Sequence, residues 1–138
     1  MKRLFLGATA FCMAAFAVSC AGSKNAANVP SLEGKWNIVK VNGTSIGQME
    51  TTPFLEFDTT KKQVHGNAGC NIINGGYTQT NSTLKFGDMM RTMMMCPDMP
   101  TEDKIVNAIN KVHAIKAGKD STIVMTDEAG NELLVLKK

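Results

Sequence analysis

Two cysteines and a run of methionines are the residues of this chain whose types and spacing could do chemistry. Cys70 sits in Asn67-Ala68-Gly69-Cys70-Asn71, and Cys96 closes Thr92-Met93-Met94-Met95-Cys96. In an oxidising compartment such a pair is read as a disulfide. Closing a loop of about 27 residues stabilises by roughly 3.5 kcal/mol in the chain-entropy model, a large share of the about 5–15 kcal/mol that holds a domain together. The competing chemistry is a nucleophilic thiol, which needs a base, and only His65 and His113 could serve. A second competitor is soft-metal binding. Met89, Met90, Met93, Met94, Met95 and Met99 crowd one stretch, thioethers select Cu(I), and Met94, Cys96 and His65 would be its donors. Against it, methionine fills irregular gaps in small cores, and on an extended strand Met93 and Met95 face away from Met94 and Cys96. The residues favour a disulfide and packed methionines, with no metal, no other cofactor and no catalytic residue.

The compartment follows from the first twenty residues. Lys2 and Arg3 precede an uncharged apolar run, Leu4 to Val18, which ends in Ala17-Val18-Ser19-Cys20. That is a secretory signal with the ending of a lipoprotein precursor. It is shorter and richer in alanine than a transmembrane span of roughly 20 residues. The expected organisation is a signal over residues 1–19, removed before a lipid-modified Cys20. A flexible tether over 20–30 and one domain over 31–138 follow. Two or more acyl chains make such an anchor stable where one is reversible. Ala21, not aspartate, follows Cys20. The expected location is therefore the cell envelope, anchored to the outer membrane and facing the periplasm.

Losing the signal takes Lys2 and Arg3 from a formal charge of +3 and leaves a near-neutral chain. That balance gives no electrostatic reason to expect nucleic acid as a partner. No phosphate-cradling loop, zinc-ligand spacing or nucleophile elbow is present. Glu56, Asp58, Asp120 and Asp127 lie in or beside turns, where no carboxylate pair for acid–base work is supported. Trp36 and Tyr77 are expected in the core with their polar tips satisfied.

From Ser31 onward short apolar stretches alternate with turn residues, the pattern of an antiparallel β domain. Lys35 to Val41 reads as a strand closed by Asn42-Gly43, and Thr44 to Ile46 as its return. Further strands are expected at Phe54–Phe57, Gln63–Asn67, Gly75–Thr80, Thr83–Phe86, Arg91–Cys96, Ala114–Lys116, Ser121–Thr126 and Glu132–Leu136. Between Met99 and Val112, Ile105, Ala108, Ile109 and Val112 recur at helical spacing. Pro100 suits the first turn, and Glu102 and Asp103 suit its positive dipole end.

The ordered set Gly69-Cys70-Asn71, Gly75-Gly76-Tyr77 and Thr92-Met93-Met94-Met95-Cys96, with Leu32-Glu33-Gly34-Lys35-Trp36 ahead and a helix and final strand behind, resembles the META/HslJ domain. The likeness runs from about Leu32 to Leu136, and Gly69, Asn71, Tyr77 and Thr92 carry it beside the two cysteines. It implies a mainly β, small antiparallel barrel-like fold of lipocalin-like topology with one amphipathic helix late in the chain. It also implies a bacterial lipoprotein tied to stress or drug tolerance, without an established catalytic activity. Ile72 and Met93 stand where the family often has basic residues. Two apolar side chains there argue against an inherited anion site and are expected to pack against each other or a neighbouring strand. The function expected is that of a lipid-anchored, non-enzymatic envelope protein acting on an unidentified envelope partner. The alternatives are a carrier of a small apolar ligand inside the barrel, or a Met/Cys copper protein.

Overall fold

Buried and exposed positions alternate along Phe54–Asp58, Gln63–Asn67 and Thr83–Phe86, Thr122–Thr126 and Glu132–Lys137 are buried almost throughout, and the sheet closes into a barrel. The computed structural model describes residues 29–138; the expected signal, Cys20 and most of the tether lie outside the described residues. The strands are β1 (Gly34–Val41), β2 (Thr44–Ser45), β3 (Phe54–Asp58), β4 (Gln63–Asn67), β5 (Ile72–Thr80), β6 (Thr83–Phe86), β7 (Met90–Arg91), β8 (Ala114–Ala117), β9 (Thr122–Thr126) and β10 (Glu132–Lys137). A helix, α1 (Met99–Lys111), precedes β8. Eight strands pair in the order β1-β3-β4-β5-β6-β8-β9-β10, and β10 closes on β1 through Ile38 opposite Leu136 and Val41 opposite Leu134. Closure removes the unpaired edges that an open sheet would offer to other chains. β2 folds back on β1, and β7 continues the line of β6 along the first half of β5.

The turns explain the register. Asn42 and Gly43 both hold positive φ, 50° and 80°, which a two-residue turn needs to match the twist of its strands. Asn81, also left-handed, turns β5 into β6. Inside, Trp36, Leu55, Phe57, Val64, Ile73, Tyr77, Leu84, Ile123, Met125, Leu134 and Leu136 form one continuous cluster. Eight strands enclose a space that side chains can fill, and here they do. Phe57 meets the edge of Tyr77 at a ring separation of 5.3 Å.

The helix caps this core. Asp98 accepts a hydrogen bond from the Thr101 amide at 3.2 Å, and proline occupies the first turn. Ile105, Ala108 and Ile109 are buried as their spacing predicted, with α1 lying on β10, β1 and β6. Among the described residues no helix is long and apolar enough to cross a membrane.

Two expectations about these elements need correction, the Arg91–Cys96 strand and the satisfied tip of Tyr77. The strand expected at Arg91–Cys96 exists only as Met90–Arg91, and Thr92 to Cys96 leaves the sheet. Glu102 lies in the first helical turn as expected and is in addition fully buried. Tyr77 is buried as expected, but its hydroxyl has no hydrogen-bond partner among the described residues. Trp36 behaves as expected, its indole N–H donating to the Leu32 carbonyl at 2.8 Å.

Candidate functional site

The motif residues converge where β5 begins. Cys70 and Cys96 are joined in a disulfide with their Cα atoms 5.9 Å apart. Gly69, just before, has φ +113°, and a Cβ there would lie 2.3 Å from the Met49 methyl. The left-handed backbone favours glycine there, and any larger residue would also have to displace the Met49 side chain.

Asn71 is the hub. Its side-chain carbonyl accepts the Met94 amide at 2.6 Å and the Thr92 hydroxyl at 2.9 Å, while its amide group donates to the Met94 carbonyl at 3.0 Å. Thr92 in turn accepts the Ile72 amide at 3.1 Å. Behind Asn71 lies Glu102 of α1. One Glu102 oxygen accepts the Asn71 main-chain amide at 2.5 Å and the other accepts its side-chain amide at 2.7 Å. Arg91 approaches the same carboxylate at 3.9 Å and pairs with Asp103 at 3.1 Å. Disulfide, asparagine and glutamate together fasten a stretch of chain that has no sheet partner of its own.

That fastened stretch presents methionine to solvent. Met90, Met93, Met94 and Met95 are 72%, 83%, 52% and 84% exposed, and Ile72 beside them is 47% exposed. This overturns the expected packing, both of the methionine run and of Ile72 against Met93. The reason is local: having left the sheet, Thr92 to Cys96 has no inward side. Among the described methionines only Met125 is fully buried, with Met89 partly packed against the core. Apolar patches maintained on a surface mark contact sites, and methionine's flexible thioether suits surfaces that fit varied partners.

The other candidate chemistry is not brought together. The Cys96 sulfur is bonded to Cys70, so it is neither a thiolate nucleophile nor a copper donor. His65 projects from β4 toward Glu56 at 3.8 Å and stacks near Phe54. His113 lies elsewhere, between α1 and β8, its amide bonded to the Thr126 carbonyl. Among the described residues no cluster of histidine, cysteine and carboxylate could hold a metal ion. A concavity of about 640 Å³ lies over β3, β4 and β5, lined by Glu56, His65, Asn74 and Met90, which share one cross-strand row on the outer face. It is a surface saddle, not an entrance to the barrel.

Comparison with known proteins places the whole described region. The family model for the META domain matches residues 29–138. The chain belongs to the META domain family. Solved structures share the barrel at low identity. One is an NMR structure of a protein from Burkholderia xenovorans, 19% identical with a TM-score of 0.60, covering 77% of this chain and 82% of that one. Another is the crystal structure of a DUF4847 family protein from Bacteroides vulgatus, 11% identical with a TM-score of 0.54, covering 76% and 92% respectively. At these identities the likeness concerns the fold alone. No curated protein matches significantly. In this META domain, Gly69, Asn71 and Thr92 serve the fastening of the methionine loop and Tyr77 serves the core, a division the motif alone does not reveal.

Proposed function

We propose that this META domain is a lipid-anchored, non-enzymatic protein of the cell envelope, held to the outer membrane through Cys20, that supports stress or drug tolerance by contact with another envelope component. The observation that carries the reading is the methionine loop. A disulfide and a buried polar network are spent on holding exposed apolar side chains in a fixed place, which is the arrangement a recognition surface needs. The signal-like start of the sequence supports the anchor, and the family resemblance supports the link to tolerance. Joined cysteines and separated histidines favour a scaffold over an enzyme. The filled interior favours surface contact over carriage of an apolar ligand, and the bonded Cys96 weighs against copper.

Cys20→Ala is expected to release the protein from the membrane fraction, and retention of that variant would remove the anchor from the reading. Native mass spectrometry of the lipidated protein extracted from its own envelope tests the rest. A bound protein supports contact, whereas a bound small apolar molecule supports the carrier.

A further inference from the structure

The surroundings of the methionine loop say what kind of partner fits it. Between Phe86 and Asp103 the chain has one cation, Arg91, against Asp88, Asp98, Glu102 and Asp103. Arg91 is already engaged with Asp103 and faces Glu102. Asp88 is exposed on the saddle that Met90 lines, and Glu50 and Asp98 are exposed on a groove beside Cys96. Lys104, the next cation along, faces the depression at the β1–β2 hairpin. The apolar face therefore has an acidic rim without a free cation in its own segment.

Its position matters as well. β5 starts at Ile72 beside the methionines and ends at Thr80, about 26 Å away at 3.3 Å per residue. α1 runs the same way, from Met99 near the loop toward Ala114, over roughly 20 Å. At that far end Val29 shares a depression with Ser82, Ala114 and Thr126. The described residues therefore begin beside the end of α1 that lies away from the methionine loop.

We propose that the face formed by Ile72, Met90 and Met93–Met95, rimmed by Glu50, Asp88 and Asp98, docks a cationic amphipathic segment of another envelope protein. The inference rests on the contact reading above and names the partner's chemistry. Apolar side chains of the segment lie on the methionines, as in helix-in-groove recognition, and its lysines or arginines meet the acidic rim. A bilayer is the poorer occupant. An anionic lipid surface would be repelled by the acidic rim.

The test uses the processed full chain and two 18-residue peptides of helical spacing, one of leucine and lysine, the other of leucine and glutamate. The leucine–lysine peptide is expected to bind at least about tenfold more tightly, a difference of about 1.4 kcal/mol, with affinity falling as salt rises. Replacing Met93, Met94 and Met95 together by serine is expected to weaken it about tenfold. Glu50→Gln with Asp88→Asn and Asp98→Asn tests the rim separately and keeps a capping side chain at residue 98. Equal binding of both peptides, or binding of neither, overturns the cationic-segment proposal. If methionine-dependent capture of an envelope protein persists in that case, the broader contact reading survives. Methionine-dependent binding to vesicles of phosphatidylcholine and phosphatidylglycerol would replace the protein partner with a membrane.

Discussion

Asn71 and Glu102 stand 31 residues apart in the chain and meet through two hydrogen bonds, both carboxylate oxygens accepting from one asparagine. The pair ties the start of β5 to the first turn of α1. It lets a polar residue sit in the core at little net cost, because each donor it brings is met. The same asparagine reaches outward to hold Thr92 and Met94. Removing either partner leaves buried polar atoms unpaired.

Glu102→Ala is therefore expected to destabilise the domain by about 2–3 kcal/mol, the range for leaving buried amide donors without their charged acceptor. Asp103→Ala, next to it but exposed, is expected to change stability by about 0.5 kcal/mol or less. Urea unfolding of both variants makes the comparison. Similar losses would mean that the helix start, not the Asn71 contact, sets the cost.

Reduction of Cys70–Cys96 is expected to cost roughly 3.5 kcal/mol from chain entropy alone. Its first effect belongs to the loop, since beyond the Thr92 amide bond to the Ile72 carbonyl, Met93 to Cys96 has no strand pairing to fall back on. Hydrogen exchange should rise at Met93–Met95 before it rises in β1 and β10. Uniform exchange across the domain would show that the disulfide stabilises the barrel as a whole instead.

Tyr77→Phe is expected to stabilise the protein by about 1 kcal/mol, since it deletes a buried hydroxyl with no described partner at the cost of little volume. Burial, reinforced by the charges of Glu33 and Asp58, also holds this phenol above its ordinary pKa. A thermal scan suffices. A clear drop in melting temperature would reveal a partner for the hydroxyl.

Glu33 carries a pH prediction. Its carboxylate accepts the Thr59 hydroxyl and, at 3.0 Å, the Thr59 amide, and these bonds hold its pKa below the ordinary carboxylate value. A depressed folded pKa means that its contribution is present above the unfolded value and is lost as pH falls through the folded one. Thr59→Val should move the Glu33 titration upward in a carboxyl-carbon NMR experiment. An unchanged titration would assign the shift to something other than Thr59.

How far the residues alone foretell this molecule depends on where the signal lies. Strand alternation, the Asn42-Gly43 turn and the apolar face of α1 are local patterns, and they led to the right elements. The Cys70–Cys96 pairing followed from compartment and count. Glu102 sits in the first helical turn as its type suggests, but its bonds to Asn71 were not legible because that partner is 31 residues away in sequence. Met93–Met95 misled because hydrophobic type predicts burial only while the chain stays in a sheet. Ile72 has outward neighbours in its row on β4 and β3, Asn67 and Phe54, and that row was the available signal.

We propose that the methionine loop is a face kept for a partner, and its oxidation tests this directly. Hydrogen peroxide footprinting, read by mass spectrometry, compares the purified protein with the protein in its native envelope. Met93, Met94 and Met95 should oxidise readily when purified and be protected in the envelope, while buried Met125 stays unoxidised in both. Equal oxidation of the three in both settings would contradict the claim.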